Sequence, residues 1–279
     1  MAVIFNQASI EAESTSDGVA IKRLITPDRV KSDKVHSEQL RLEAGAESDF
    51  RVAEGDLSWA HVLEGSAVVT TATGEQTVTA DHFMFLPPGL SARIRSEDDA
   101  TIFRATVPDA RRFDANWNAA ALDYRCIDWT EEPVLDSEFD ARKRIYLITP
   151  KLSQTRAAKG EMIIYPPGTE AANHHHEGAE HFQVILKGSA TFYLNEQPQK
   201  VRAGDTVYIY DNERHFLIND GDEELVFIEY FVPGTYDTVW VPGASICTWS
   251  PTGKNIKGGK PSREIAAHSS PQAHERSDV

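Results

Sequence analysis

An internal repeat constrains the fold of this 279-residue chain more than any other feature. The first copy runs from Gly45 through AESDFRVAEGDLSWAHVLE to Gly65, and the second from Gly168 through TEAANHHHEGAEHFQVILK to Gly188. Both copies have the same length, and both end in an apolar run, one charged residue and Gly-Ser-Ala. Each then continues through a hairpin into a second apolar segment, so we expect two copies of one fold.

Short runs rich in Val, Ile, Phe and Tyr alternate with Gly, Pro, Asn and Asp throughout both copies, for example SAVVTT at 66–71 and DTVYIY at 205–210. This texture predicts an all-β protein built from antiparallel sandwiches or barrels. The best helix candidate is PDARRFDANWNAAALD at 108–123, which would form a short helical connector. We predict an N-terminal domain over 1–110, a connector over 111–143, a C-terminal domain over 144–249 and a tail over 250–279.

The tail is rich in Gly, Ser, Pro and charge and has scarcely any aromatic residues. Such a composition buries too little surface to offset the entropy of ordering it, so we expect a flexible tail with His268 and His274 in solvent.

Charge and hydropathy narrow the class of partner. The net charge of -15 opposes binding to nucleic acid and to anionic membrane surfaces. The sequence has no apolar stretch long enough to cross a bilayer and no apolar signal core at its beginning. We expect a soluble, cytoplasmic protein with a small-molecule substrate, in which Cys126 and Cys247 are buried apolar residues without a disulfide.

The densest chemical signal is a group of histidines in the second copy. In an extended strand alternate side chains share a face, so His174 and His176 would point the same way and His175 the opposite way. His181 and His215 begin later apolar runs, and neighbouring strands of a small barrel can bring the four inward rings to one point. Neutral imidazoles at that point would bind iron, nickel, copper or zinc. An exposed histidine loop is the competing interpretation.

These residues resemble the two motifs of the cupin superfamily. The first motif, with its two histidines and a later glutamate between glycines, fits the spacing from Gly168 to Gly188, although His181 stands where glutamate is usual. The second motif fits His215 and Asn219, without its usual proline and glycine. The resemblance implies two tandem jelly-roll (double-stranded β-helix) domains and one divalent metal on His174, His176, His181 and His215. The neighbouring Glu180 remains open as an alternative fourth ligand.

The same template places Arg51, Ala53 and Ser58, together with Ser91 or Ala92, at the ligand positions of the first copy. None of these side chains forms a plausible ligand set for a divalent metal. We therefore predict a degenerate, metal-free N-terminal cupin that serves packing, dimerisation or the shaping of the active barrel. We also predict one metal per chain and a homodimer. His61 and His82 lie outside the ligand positions and are interpreted as structural residues.

Some cupins with all-histidine sites are non-haem iron dioxygenases, and this resemblance favours an Fe(II) dioxygenase acting on a diketone, a hydroxy-aromatic or an enol-type substrate. Manganese, nickel, zinc or copper are alternative metals. Gln183, which shares a strand face with His181, is the polar candidate to contact the substrate or bound oxygen, although a purely structural amide fits as well. The alternative function is a non-redox, metal-dependent isomerase, lyase, cyclase or aminohydrolase. A sugar-binding or storage cupin is disfavoured because it would not need the histidines.

Overall fold

The computed structural model describes residues 1–244, 246–274 and 276–279 and divides the chain into two compact units. The N-terminal unit comprises residues 7–129 and 153–157, and the C-terminal unit comprises residues 1–6, 130–152 and 158–279. The all-β prediction is confirmed, because each unit consists of two antiparallel sheets. The units are discontinuous in sequence, which the predicted boundaries did not anticipate. The chain enters the C-terminal unit twice, and the predicted connector divides after residue 129.

The N-terminal unit contains a seven-stranded sheet, in the order β12-β9-β6-β11-β4-β3-β2, and a four-stranded sheet, in the order β5-β10-β7-β8. Their inner faces enclose an apolar core that includes Phe50, Val62 and Ile102. The strands are β2 Glu13–Ser16, β3 Val19–Ile25, β4 His36–Leu42, β5 Glu47–Arg51, β6 Leu57–Glu64, β7 Ser66–Thr71, β8 Gly74–Thr79, β9 His82–Leu86, β10 Ser91–Ser96, β11 Ala100–Val107 and β12 Arg125–Asp128.

The C-terminal unit contains a nine-stranded sheet, in the order β1-β20-β17-β22-β15-β14-β13-β24-β25, and a five-stranded sheet, in the order β19-β18-β21-β16-β23. Its core includes Phe192, Val207 and Phe227. The strands are β1 Val3–Asn6, β13 Leu135–Ser137, β14 Lys143–Ile148, β15 Lys159–Tyr165, β16 His174–Glu177, β17 Glu180–Lys187, β18 Ser189–Leu194, β19 Gln197–Arg202, β20 Asp205–Ile209, β21 His215–Ile218, β22 Leu225–Val232, β23 Asp237–Trp240, β24 Thr248–Pro251 and β25 His268–Ser269.

The repeated glycines mark equivalent turns in the two units. Gly65 and Gly188 both have positive φ, at 75° and 79°, and each separates two strands of its unit. A Cβ atom would clash with the carbonyl oxygen of Asp99 at the first position and of Glu224 at the second. Glycine is therefore required twice for the same physical reason, which explains why the sequence repeat is most visible there.

The predicted helix over 108–123 is wrong. The structure has two 3-10 helices there, Ala110–Phe113 and Ala119–Ala121. Between them the Asp114 carboxylate accepts hydrogen bonds from the backbone N–H of Asn116 and from the hydroxyl of Thr155, and this turn ends the first helix. The other helices are short as well, namely α1 Pro27–Val30, α2 Pro150–Ser153 and 3-10 helices Gln7–Ser9, Trp129–Glu131 and Pro271–His274. No helix among the described residues has the length and apolarity to cross a membrane.

Where the structure describes it, the tail is packed rather than flexible, which corrects the prediction for 250–279. Strand β24 pairs with β13, and β25 pairs with β24. Arg263 forms a 2.8 Å ion pair with the buried carboxylate of Glu132. His268, expected in solvent, is buried, and its Nε2 lies 2.8 Å from the hydroxyl oxygen of Tyr146. Strand pairing, isolated buried apolar residues such as Ile265 and single polar contacts hold this segment, and they leave no apolar periodicity in the sequence.

Candidate functional site

Three histidines converge inside the C-terminal unit. His174 and His176 lie on β16, and His215 begins β21, the neighbouring strand in the five-stranded sheet. One ring nitrogen from each lies within 4.8 Å of the other two. Three nitrogens spaced evenly around one ion, at metal–nitrogen distances of about 2.1 Å, lie roughly 3.6 Å apart. Inward ring movements of less than about 1 Å therefore suffice for all three to reach one ion.

Hydrogen bonds on the outer side of each ring leave the inner nitrogen available. His174 Nδ1 lies 2.7 Å from the carbonyl oxygen of Ala172, and His215 Nδ1 lies 2.9 Å from that of Glu213. A carbonyl can only accept, so both Nδ1 atoms carry the proton and both Nε2 atoms keep a lone pair when the rings are neutral. His176 Nδ1 lies 3.1 Å from a hydroxyl, that of Thr238. Outer partners of this kind orient histidine ligands in metal sites.

The electrostatic environment favours the neutral rings that a metal needs. Burial lowers the pKa of His174 to about 4. Burial, with added repulsion among the rings, holds the pKa values of His176 and His215 well below the ordinary value. The imidazoles are therefore unprotonated at neutral pH, which is the form that binds a metal. The buried donor set fits a divalent ion.

The structure also places the two candidates for a fourth ligand. The His181 ring lies against the cluster, with its centroid 4.9 Å from that of His176, and neither of its nitrogens has a hydrogen-bond partner. Glu180, the preceding residue on β17, points to the other face, where the hydroxyl of Tyr208 donates to its carboxylate. His175 contacts Glu177 at 3.2 Å. The side-chain directions agree with strand alternation, and the role of each residue in metal binding stays a prediction.

A cavity of about 410 Å³ opens beside the histidines, and its lining includes His174, His176 and His215. A polar row crosses its floor, because Glu161 on β15 lies directly opposite Glu229 on β22, which in turn lies opposite Gln183 on β17. The Gln183 Nε2 donates to Glu229 Oε1 at 2.7 Å. The same Oε1 lies 3.7 Å from His181 Nε2, so this carboxyl joins the polar row to the histidines.

The two adjacent carboxyl groups have opposite environments. Arg144 and Lys159 each lie 3.1 Å from Glu161. Burial alone would raise the pKa of Glu161, but the charges of Arg144 and Lys159 overcome it and lower that pKa. Burial, together with the neighbouring Glu161 charge, raises the pKa of Glu229 to about 7. Pairs of carboxyls separated in this way are typical of sites that divide acid and base roles.

Aromatic rings complete the cavity. Tyr236 stacks on Phe231 at 4.2 Å and accepts a 2.9 Å hydrogen bond from Lys159 Nζ. On another side, the Trp249 ring lies 4.0 Å from the guanidinium of Arg144. Arg142, in the same wall, donates to the hydroxyl of Tyr165, so the cavity combines a charged floor with aromatic sides.

Sequence reasoning missed the charged floor. Lys159 and Glu161 lie in KGEMIIY, and Glu229 lies in LVFIEYF. The available signal was a charged residue inside an otherwise apolar strand, because a buried charge needs a partner or a function. That signal does not pair Glu161 with Glu229, because the register between their two strands depends on contacts between residues that are far apart in the sequence.

The ligand positions of the first copy have ordinary structural contacts. Arg51 is exposed and pairs with Asp49, while the buried Ser58 hydroxyl donates to the carbonyl oxygen of Ala105. His61 is buried and packs against Phe83 at 5.2 Å between ring centroids. A metal-free N-terminal cupin stays a prediction.

Comparisons with known proteins agree with this fold. Residues 161–231 match the family model described as a cupin domain. The oxalate-binding protein of Thermotoga maritima is 26% identical over 87 residues, which is 31% of this chain and 72% of that protein. A variant of Bacillus subtilis oxalate decarboxylase superposes with a TM-score of 0.68 at 18% identity, covering 85% of this chain and 79% of that one. Another structure of that enzyme, whose description names its Mn(II) centres, gives 0.69 at 17% identity over the same shares.

The fold and the histidine site together define a metal-binding cupin domain. Residues 161–231 match a cupin domain, and the chain has the fold of a bicupin, with tandem jelly-roll units of which the second carries the histidine cluster.

Proposed function

We propose that the C-terminal unit is a metal-dependent enzyme that catalyses a non-redox proton transfer, of the isomerase or lyase type, on a small anionic substrate. The observation that carries this proposal is the position of Glu229. Its carboxyl lines the cavity next to the histidines and is held there by Gln183. A positioned carboxyl can transfer a proton to or from a substrate that an ion held by the histidines would polarise.

His174, His176 and His215 would hold the divalent ion, and His181 is the predicted fourth ligand. When bound, the ion supplies Lewis-acid polarisation of a substrate oxygen. Glu229 accepts or donates the proton, and the Gln183 amide fixes the orientation of its carboxyl. Glu161 stays ionised because two cations contact it. Of the two glutamates, Glu229 is therefore the one that transfers the proton.

Charge supports an anionic substrate. The cavity lining contains three cations, Arg142, Arg144 and Lys159, which offset three of its four acidic residues, Asp140, Glu161, Glu170 and Glu229. A divalent ion on neutral imidazoles then leaves the cavity positive, in a protein whose net charge is -15. The similar proteins whose names refer to oxalate also support a carboxylate.

The Fe(II) dioxygenase predicted from the sequence is the second candidate. The observation that favours it is a ligand group of imidazoles alone, which leaves the full charge of the ion to bind an anionic, bidentate oxygen ligand. Oxygen uptake separates the two candidates, because proton transfer proceeds without oxygen.

The test uses pyruvate in D2O under nitrogen, with protein loaded with Mn(II) or with Fe(II). Proton NMR should show deuterium entering the methyl group, and Glu229→Gln should slow the exchange about 10² to 10⁴-fold while keeping its metal. Glu180→Gln is the matched control, because that carboxyl lies on the other face of β17. Oxygen uptake with a diketone or hydroxy-aromatic acid, without deuterium exchange in pyruvate, would instead support the dioxygenase.

A further inference from the structure

The cavity is much larger than its charged floor needs. Its volume of about 410 Å³ corresponds to roughly 14 water molecules at the volume each occupies in the liquid. Oxalate, which consists of two joined carboxylates, would fill less than half of that space. The remaining volume must accommodate either water or additional parts of a substrate.

Aromatic side chains form part of the walls of that remaining space, beside polar residues that include Asp140 and Thr238. Phe139, Trp240 and Trp249 line the cavity together with the rings near the histidines. Trp249 is buried and is fixed in place, because its ring lies on Arg144 and its Nε1 donates to the hydroxyl of Ser270 at 3.1 Å. Rigid aromatic walls bind apolar groups at little cost in conformational entropy, and contact with water stabilises such walls little.

Two exposed apolar residues lie in the segments that form the edge of the cavity. Phe139 is 59% exposed and itself lines the cavity. Ile246 is 49% exposed and directly precedes Cys247, another lining residue. Hydrogen bonds join the two segments, because the Glu138 N–H donates to the carbonyl oxygen of Thr248. Large apolar side chains are otherwise buried through most of the described chain, so this placement needs a reason.

We propose that the substrate is an acid with an apolar body, such as an aryl-substituted 2-oxo or 2-hydroxy acid, rather than a two-carbon acid. Its oxygenated head lies beside the histidines and Glu229, and its body extends along Trp249 toward Phe139 and Ile246. This inference rests on the proposed function for the head group and adds the specificity of the cavity for the body.

The test compares two acids with the same head. Isothermal titration calorimetry on Mn(II)-loaded protein should give phenylpyruvate a Kd about tenfold to a hundredfold lower than that of pyruvate, because the phenyl group becomes buried. Phenylacetone, which keeps the body but lacks the carboxylate, should bind much more weakly than phenylpyruvate.

Variants at the edge of the cavity locate the body. Phe139→Ser and Ile246→Ser should each weaken phenylpyruvate binding about three- to tenfold and leave pyruvate within about twofold. Both side chains are largely exposed, so folding does not depend on them. Val68→Ser, a partly exposed site on β7 of the N-terminal unit, is the matched control and should change neither Kd.

The outcomes separate this inference from the proposed function. Equal affinity for the two acids, with binding that still requires the metal and His176, would overturn the apolar body and leave the metal-dependent function standing. An unchanged phenylpyruvate Kd in both edge variants would also overturn it. If neither acid binds to the metal-loaded protein, both proposals are wrong.

Discussion

Replacing Lys159 by Met tests the charged floor of the cavity through stability. The Lys159 and Glu161 side chains are only 6% and 1% exposed, and their charged atoms lie 3.1 Å apart. Removing one partner of a buried pair leaves the other charge uncompensated, which costs about 3 to 5 kcal/mol in measured cases. Arg144 remains beside Glu161, so we expect the lower end of this range.

For a domain of this size, about 1 kcal/mol corresponds to roughly 2 to 4 °C in melting temperature. Lys159→Met should therefore lower the Tm by about 6 to 12 °C in calorimetry. Adding Glu161→Gln should recover part of the lost Tm, because it removes the uncompensated negative charge of the Glu161 carboxylate. Lys200→Met is the matched control, since the Lys200–Asp220 pair is 73% and 41% exposed and such pairs contribute about 1 kcal/mol or less. A Tm loss in Lys159→Met no larger than in the control would refute the buried ion pair.

Three further predictions concern other parts of the chain. Burial lowers the pKa of His61 to about 3, so between pH 6.5 and 3 the unfolded chain binds a proton at this residue and the folded chain does not. The free energy of unfolding should therefore fall by about 4 to 5 kcal/mol as the pH is lowered over that range. Denaturant titrations should show a smaller fall in His61→Phe. His181→Glu should retain metal but lower turnover, whereas Glu180→Gln should change neither; near-normal turnover in His181→Glu would contradict a ligand role for His181. Arg263→Met should make the tail sensitive to limited proteolysis, because it leaves the buried Glu132 carboxylate without its cation; an unchanged digestion pattern would contradict the packed tail.

Local patterns sufficed for the parts of the structure that are set locally. The alternation His174, His175, His176 predicted which rings share a face, because a strand repeats every two residues. The paired turns at Gly65 and Gly188 predicted the duplicated fold, since only glycine tolerates that backbone conformation beside a carbonyl oxygen.

Features that depend on distant contacts escaped prediction. The segment 108–123 has the composition of a helix, but the Asp114 carboxylate accepts a hydrogen bond from Thr155, more than 40 positions later. The tail folds through the partners Glu132 and Tyr146, which lie more than 100 positions earlier. The first strand, Val3–Asn6, pairs with β20 of the C-terminal unit, so the unit that contains it could not be read from sequence order.

Metal content measured by elemental analysis tests the central claim most directly. Wild-type protein and His175→Ala should each contain about one equivalent of divalent metal per chain, because His175 points away from the cluster. His176→Ala and His215→Ala should lose most of it, since each removes one of three converging nitrogens. Retention of a full equivalent in both His176→Ala and His215→Ala, or its loss in His175→Ala alone, would contradict the assignment of the metal site.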